Sequence, residues 1–204
     1  LEFDMEVHAA LRKAVGPGYP LMSDPVGEYT LGDAVRVARQ LERLGYEWFE
    51  EPFRDFELYK YTDLCRTVDI PIAATETTRG CHWGVAQSIA QRAADIVRAD
   101  VSWKNGVTGT LKIAHMADGF GLNCEVHTTT MNYMDLANVH VSCAIRNCKY
   151  FEYFVPEDQY RLPMKGDLPI RDGYIYAPDK PGIGAELDWE LIGESCHSYR
   201  CQTL

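Results

Sequence analysis

The sequence predicts an α/β fold, and within that class a (β/α) barrel of the TIM type, on three observations. Short apolar segments of strand length alternate with helical segments along residues 20–152. An ionisable residue closes each strand-length segment: Asp24, Glu50, Glu76, Asp100, His127 and Glu152. Successive members of that series lie 26, 26, 24, 27 and 25 residues apart, one strand-plus-helix unit each time. Parallel strands joined by right-handed crossovers bring all of these side chains to one edge of the sheet. In a flat sheet the outermost would stand roughly 25 Å apart, at about 4.8 Å per strand, and could not share a site. Closure into a barrel gathers them around the rim where barrels do their chemistry.

The elements follow in order. Residues 5–15 read as a helix, with Val7, Leu11, Ala14 and Val15 expected to face inward. A strand is predicted over 20–23. Thr30 with Asp33 three positions on is an N-cap signature, and Ala34, Val37, Ala38, Leu41 and Leu44 then recur at helical spacing until Gly45. Strand 47–49 precedes a helix over Leu58–Thr67 with Leu58, Tyr61, Leu64 and Cys65 on one face. Strands 71–75, 95–98, Asn123–Val126 and 149–151 alternate with helices over 83–93, 108–119 and 135–146. Residues 156–172 read as irregular, 173–176 as a short strand, and 185–192 as a small closing element. The chain divides on this reading into a partial barrel over 1–156 and a return segment over 157–204.

Composition excludes several classes. The net charge of −10 argues against nucleic acid as a partner. No stretch approaches the roughly 20 apolar residues of a membrane span, and the first residues are too charged for a signal peptide. Seven cysteines, none in Cys-x-x-Cys spacing, point to reduced and mostly buried thiols in a cytoplasmic protein. Cys196-His197 is a metal-binding pattern only in a weak sense. Gly16-Pro17-Gly18 and Gly106-Val107-Thr108-Gly109 lack the context of a phosphate loop. Cys124 and His127, three residues apart on one strand, face opposite sides and do not form a nucleophile–base pair. Trp83, Trp103, Tyr133 and Tyr153 are candidates for the pocket wall, with packing as the default.

One acidic residue at a strand end is ordinarily a solvated or capping group. Asp24, Glu50 and Glu76 in phase on successive strands are different, because three converging carboxylates repel unless a cation joins them. An all-oxygen set selects a hard divalent ion, Mg²⁺ ahead of Mn²⁺ or Ca²⁺. Asp100, one strand before His127, is placed to accept an imidazole N–H and fix its tautomer. Glu152, if kept neutral, could donate a hydrogen bond to a developing oxyanion. The set fits abstraction of the proton α to a carboxylate by His127, with the resulting enediolate stabilised electrostatically. A metal also explains how an anionic substrate binds so acidic a protein.

The motifs Leu21-Met22-Ser23-Asp24, Trp48-Phe49-Glu50-Glu51-Pro52, Thr75-Glu76 and Ala99-Asp100…Asn105-Gly106-Val107-Thr108-Gly109 resemble the enolase superfamily, specifically its mandelate racemase-like subgroup. The match runs from Leu21 to Glu152, and the tail 173–189 resembles the subgroup's return towards a capping domain. The resemblance implies Asp24, Glu50 and Glu76 as Mg²⁺ ligands, with Glu51 a structural neighbour. It implies His127 and Asp100 as the acid–base dyad and Glu152 as the enolate-stabilising acid.

Some residues depart from the pattern. The usual Asp-x-Asn is Asp24-Pro25-Val26, the usual Gly before the third ligand is Thr75, and Lys104 is expected in a surface or loop role. The subgroup's Lys-x-Lys pair is not found in the 23 residues before Asp24. The chain is therefore expected to carry barrel strands three to eight, with the first two strands and the capping domain missing from it and its open edge needing a cover. The function implied is a Mg²⁺-dependent acid-sugar dehydratase acting on a small-molecule carboxylate, in a protein expected to be a homo-oligomer. A racemase or epimerase at the same carbon is the alternative, and a non-catalytic carboxylate- or metal-binding barrel is the rival of another class.

Overall fold

The computed structural model describes residues 1–128, 132–155, 164–195 and 198. Its centre is a parallel sheet of five strands in sequential order: β1 (Met22–Ser23), β2 (Trp48–Glu50), β3 (Ile72–Ala74), β4 (Ile96–Ala99) and β5 (Asn123–Val126). Each strand is followed by a helix: α2 (Leu31–Leu44), α3 (Leu58–Thr67), α4 (Cys81–Ala90), α5 (Gly106–Gly119) and α6 (Asn132–Ala144). α1 (Glu2–Val15) precedes β1. The strand-and-helix alternation is as predicted, with bounds shifted by one to three residues.

The sheet is curled. Trp48 on β2 and Tyr150, beside the last strand position, have ring centroids 5.7 Å apart. Lys149 reaches Glu47 at 3.0 Å. Four flat steps would separate those positions by roughly 19 Å at about 4.8 Å each, so the strands wrap as a partial α/β barrel. Phe49, Ile72, Val97 and Val126 are wholly buried and fill its layers with Leu41, Leu64 and Ile113 from the helices.

α2 behaves as its sequence dictates. The Thr30 hydroxyl accepts from the Asp33 amide at 3.2 Å, Gly45 closes the helix at φ 68°, and Ala34, Val37, Ala38 and Leu41 are buried. α5 needs Gly109, where a β-carbon would fall 1.7 Å from the Lys104 carbonyl oxygen.

Three expectations change. Val7, Leu11 and Val15 of α1 do not face inward; they are exposed, and α1 buries no residue. It presents Met5, His8 and Arg12 instead. His8 Nε2 lies 2.9 Å from the Ser23 hydroxyl, and the Arg12 guanidinium caps α2 at the carbonyls of Leu44 (2.7 Å) and Gly45 (2.9 Å). The strand expected at 149–151 is a single parallel bridge, Phe151 to Val126. The buried Glu125 carboxylate takes the amides of Lys149 (3.0 Å) and Tyr150 (2.9 Å), which are thereby used by a side chain and not by a ladder. Of the described cysteines Cys124 is buried, Cys65, Cys81 and Cys148 are half-buried and Cys143 is exposed, so the thiols are free but not mostly buried. Cys196 and His197 lie outside the described residues.

Beyond the barrel, β6 (Ile170–Arg171) and β7 (Tyr174–Ile175) form an antiparallel hairpin through Asp172-Gly173. Both turn residues are left-handed (φ 52° and 78°), as a two-residue hairpin turn requires. A bridge from Met164 to Leu187 and the short helix α7 (Trp189–Ser195) complete the segment. Among the described residues no helix is long and apolar enough to cross a membrane.

Candidate active site

The rim of the barrel brings the strand ends together. One carboxylate oxygen from each of Asp24, Glu50 and Glu76 lies within 4.8 Å of the others. Their electrostatics show the strain of crowding. Asp24 is pushed up to about 6, first by lost hydration and then by the Glu50 charge, although much of its surface remains open. Glu76 is pushed up to about 8 by burial, against the opposing pull of His127. Three hard oxygen donors with surplus negative charge are a donor set that a divalent cation fits.

Glu50 is held at both oxygens. Trp48 Nε1 donates to Oε2 at 2.9 Å, and Arg98 Nε stands 2.5 Å from Oε1 as an ion contact without hydrogen-bond geometry. The other arm of Arg98 reaches Glu152 Oε2 at 2.8 Å, and the Thr128 amide donates to the same oxygen at 2.9 Å. Burial works against the Arg98 charge, but Glu50 and Glu152 outweigh it and keep the guanidinium firmly protonated. Glu152 Oε2 thus accepts from both Arg98 and the Thr128 amide.

His127 completes the rim. Its Nδ1 is 2.6 Å from Asp100 Oδ2, and its Nε2 is 3.4 Å from Glu76 Oε1. Asp100 is buried and its second oxygen accepts from the Ser102 and Trp103 amides, the latter at 2.8 Å. With Asp100 Oδ1 taken by two backbone amides, its Oδ2 accepts the Nδ1–H of His127, and Nε2 faces the carboxylate cluster. Burial opposes a charge on His127, yet the Asp100 hydrogen bond and the Glu76 charge raise its basicity. The Trp103 ring lies 5.0 Å from the imidazole, while Trp83 is exposed and stacks on His82. Tyr153 borders a separate cleft between α6 and the β6–β7 hairpin.

Sequence reasoning missed several supporting groups. Arg98 interrupts the apolar run Ile96-Val97-Arg98-Ala99, and a lone charge in such a run was the available signal. Lys104 is not on the surface: it is buried, with Nζ donating to the Thr78 carbonyl. Burial lowers its basicity, and Glu51 is foremost among the acidic groups that oppose this. Glu51 accepts from the amide and hydroxyl of Thr77, at 3.2 and 2.6 Å. The Asp24-Pro25-Val26 departure is accommodated locally, because the Val26 amide turns back at φ 51° to Asp24 Oδ1 at 3.1 Å.

The family model described as enolase C-terminal domain-like matches residues 1–191. The chain belongs to that family. Among curated relatives of this enolase-type domain, arabinonate dehydratase of Saccharolobus solfataricus is 31% identical over 100% of the chain and 53% of its own length. Among solved structures, D-glucarate dehydratase from Agrobacterium tumefaciens, complexed with magnesium, aligns with a TM-score of 0.82 and 36% identity over 95% of this chain and 51% of that one. A racemase from Streptomyces coelicolor with bound magnesium aligns with a TM-score of 0.84 and 26% identity over 95% and 51%. The chain spans about half the length of these relatives.

Proposed function

We propose that the protein to which this enolase-type domain belongs is a Mg²⁺-dependent acid-sugar dehydratase. The observation that carries the reading is the pairing of two arrangements on one rim: the Asp24, Glu50 and Glu76 cluster, and the His127–Asp100 pair whose Nε2 lies 3.4 Å from Glu76 Oε1. Relatives named as dehydratases of arabinonate and D-glucarate support it, the latter crystallised with magnesium.

Asp24, Glu50 and Glu76 would hold the ion. Magnesium, when bound, draws charge from a substrate carboxylate and so acidifies the adjoining C–H. His127 Nε2 then accepts the α-proton, with Asp100 sharing the positive charge that the imidazole gains. Arg98, between Glu50 and Glu152, supplies a fixed positive charge beside the place where negative charge grows. The protonated His127 returns its proton to the β-hydroxyl, which departs as water, and the enol left behind tautomerises to a 2-keto acid.

The test incubates the full-length protein and Mg²⁺ with a panel of aldonic and aldaric acids in D₂O. A 2-keto product with loss of water is expected. Deuterium exchange with recovery of the acid would replace the reading by racemisation. Binding without either would leave a carboxylate-binding barrel.

A further inference from the structure

We infer that Thr75 is the positioning residue of the carboxylate cluster, acting through its hydroxyl; the inference rests on the reading of that cluster as a Mg²⁺ site. β3 and β4 pair regularly as far as Ala74 opposite Val97. One residue later the main chain of Thr75 turns to φ 88°, a left-handed conformation that a β-branched residue adopts only when its surroundings impose it. A glycine would reach the same conformation without that resistance.

The hydroxyl explains what the threonine contributes. Its Oγ1 accepts from the Arg98 amide at 3.0 Å and donates to the Arg98 carbonyl at 2.9 Å. The side chain of Thr75 therefore takes over from the β3 backbone, which has left the ladder, and satisfies both main-chain groups of Arg98. Thr75 and Arg98 are both buried, so water does not offer them an easy substitute.

Two of the three cluster carboxylates depend on this join. On one side, the left-handed turn at Thr75 aims the next residue, Glu76, at Asp24 and Glu50. On the other, the anchored backbone of Arg98 sets its guanidinium against Glu50 Oε1 and Glu152 Oε2. One hydroxyl thus extends the join, one residue past the ladder, between the element that carries Glu76 and the element that orients Glu50. Groups hydrogen-bonded directly to metal ligands are typically worth about 10–100-fold in metal affinity; Thr75 acts one contact further out, through Arg98, so the low end of that range applies.

The test is calorimetric titration of the full-length protein with Mg²⁺, in the wild type and in Thr75→Ser, Thr75→Val and Thr75→Gly. Serine keeps both hydrogen bonds, valine keeps the shape without them, and glycine relieves the left-handed turn without them. The expected result is wild-type affinity in Thr75→Ser and a loss of about tenfold or more in the other two. Glycine is a safeguard should valine not fold. Wild-type affinity in either the valine or the glycine variant, or an affinity in the serine variant as weak as in valine, would overturn the role of the hydroxyl. A wild-type protein that does not bind Mg²⁺ would instead overturn the reading of the site, and this inference with it.

Discussion

The inner and outer strand ends of the barrel carry the same kind of side chain and hold it in different ways. Glu50, Asp100 and His127 end strands with a parallel neighbour on each side, and all three are buried. Asp24 follows β1, which pairs only with β2 among the described residues, and it is exposed. Glu152 follows Phe151, which is joined to the sheet by one bridge, and a third of its side chain is open. Inner groups are buried and each is gripped by its neighbours, Trp48 and Arg98 on Glu50 and Asp100 on His127; outer groups are more open and are reached by fewer contacts, Arg98 and the Thr128 amide at Glu152 and the Val26 amide at Asp24. Among the described residues, position in the sheet goes with burial: the ends of doubly paired strands are buried and those of singly paired ones more open.

The sharpest way to break this contrast is to remove Arg98, which ties one class to the other. Arg98→Met leaves the buried Glu50 carboxylate without its cation and removes the ion pair to Glu152, which keeps its bonds from Thr128. Loss of one member of a buried ion pair costs about 3–5 kcal/mol, measurable by urea denaturation. Glu152→Gln, at the open end, should cost less than about 1 kcal/mol in the same assay, because solvent screens that half of the network. Equal losses for the two variants would abolish the distinction between inner and outer groups.

The dyad offers the next test. Asp100→Asn removes the acceptor that fixes the His127 tautomer while leaving Asp24, Glu50 and Glu76 in place. Turnover of the full-length protein should fall by about 10²–10⁴-fold, with Mg²⁺ affinity nearly unchanged by calorimetry. Asp24→Asn should do the reverse at the outer end: weaker Mg²⁺ binding by titration, and a metal-free urea midpoint at neutral pH at or slightly above wild type, because one charge of the crowded set is removed.

The same contrast explains what could be read from the chain. The series Asp24, Glu50, Glu76, Asp100, His127 and Glu152 was legible because the repeat length of a strand-plus-helix unit is a local property of sequence. Helix α2 was legible from its cap, its period and its terminal glycine. Lys104 was not, since its burial depends on the Thr78 carbonyl of the preceding unit. Arg98 escaped for a similar reason: its partners lie 48 residues before and 54 residues after it. The face of α1 was misjudged because its apolar stripe is locally clear, whereas His8 and Arg12 are drawn inward by Ser23 and the end of α2.

That supporting contact yields the smallest predicted effect, and it tests how β1 is held. His8 lies under the edge strand with Nε2 on the Ser23 hydroxyl, and the Tyr46 hydroxyl donates to its carbonyl at 3.0 Å. Burial lowers the affinity of its ring for a proton, and the nearby Asp4 only partly opposes this. Below the ordinary histidine value of about 6.5 the unfolded chain therefore binds a proton that the folded chain resists. Stability attributable to His8 is full above that pH and declines as the pH falls through it, until the folded ring also protonates. The His8→Gln variant keeps a polar group near Ser23 and does not titrate. Urea midpoints at pH 8 and pH 5 should fall less steeply for this variant than for wild type. A wild-type difference no larger than that of the variant would mean that burial of the His8 ring beside Ser23 does not contribute to the pH dependence of stability.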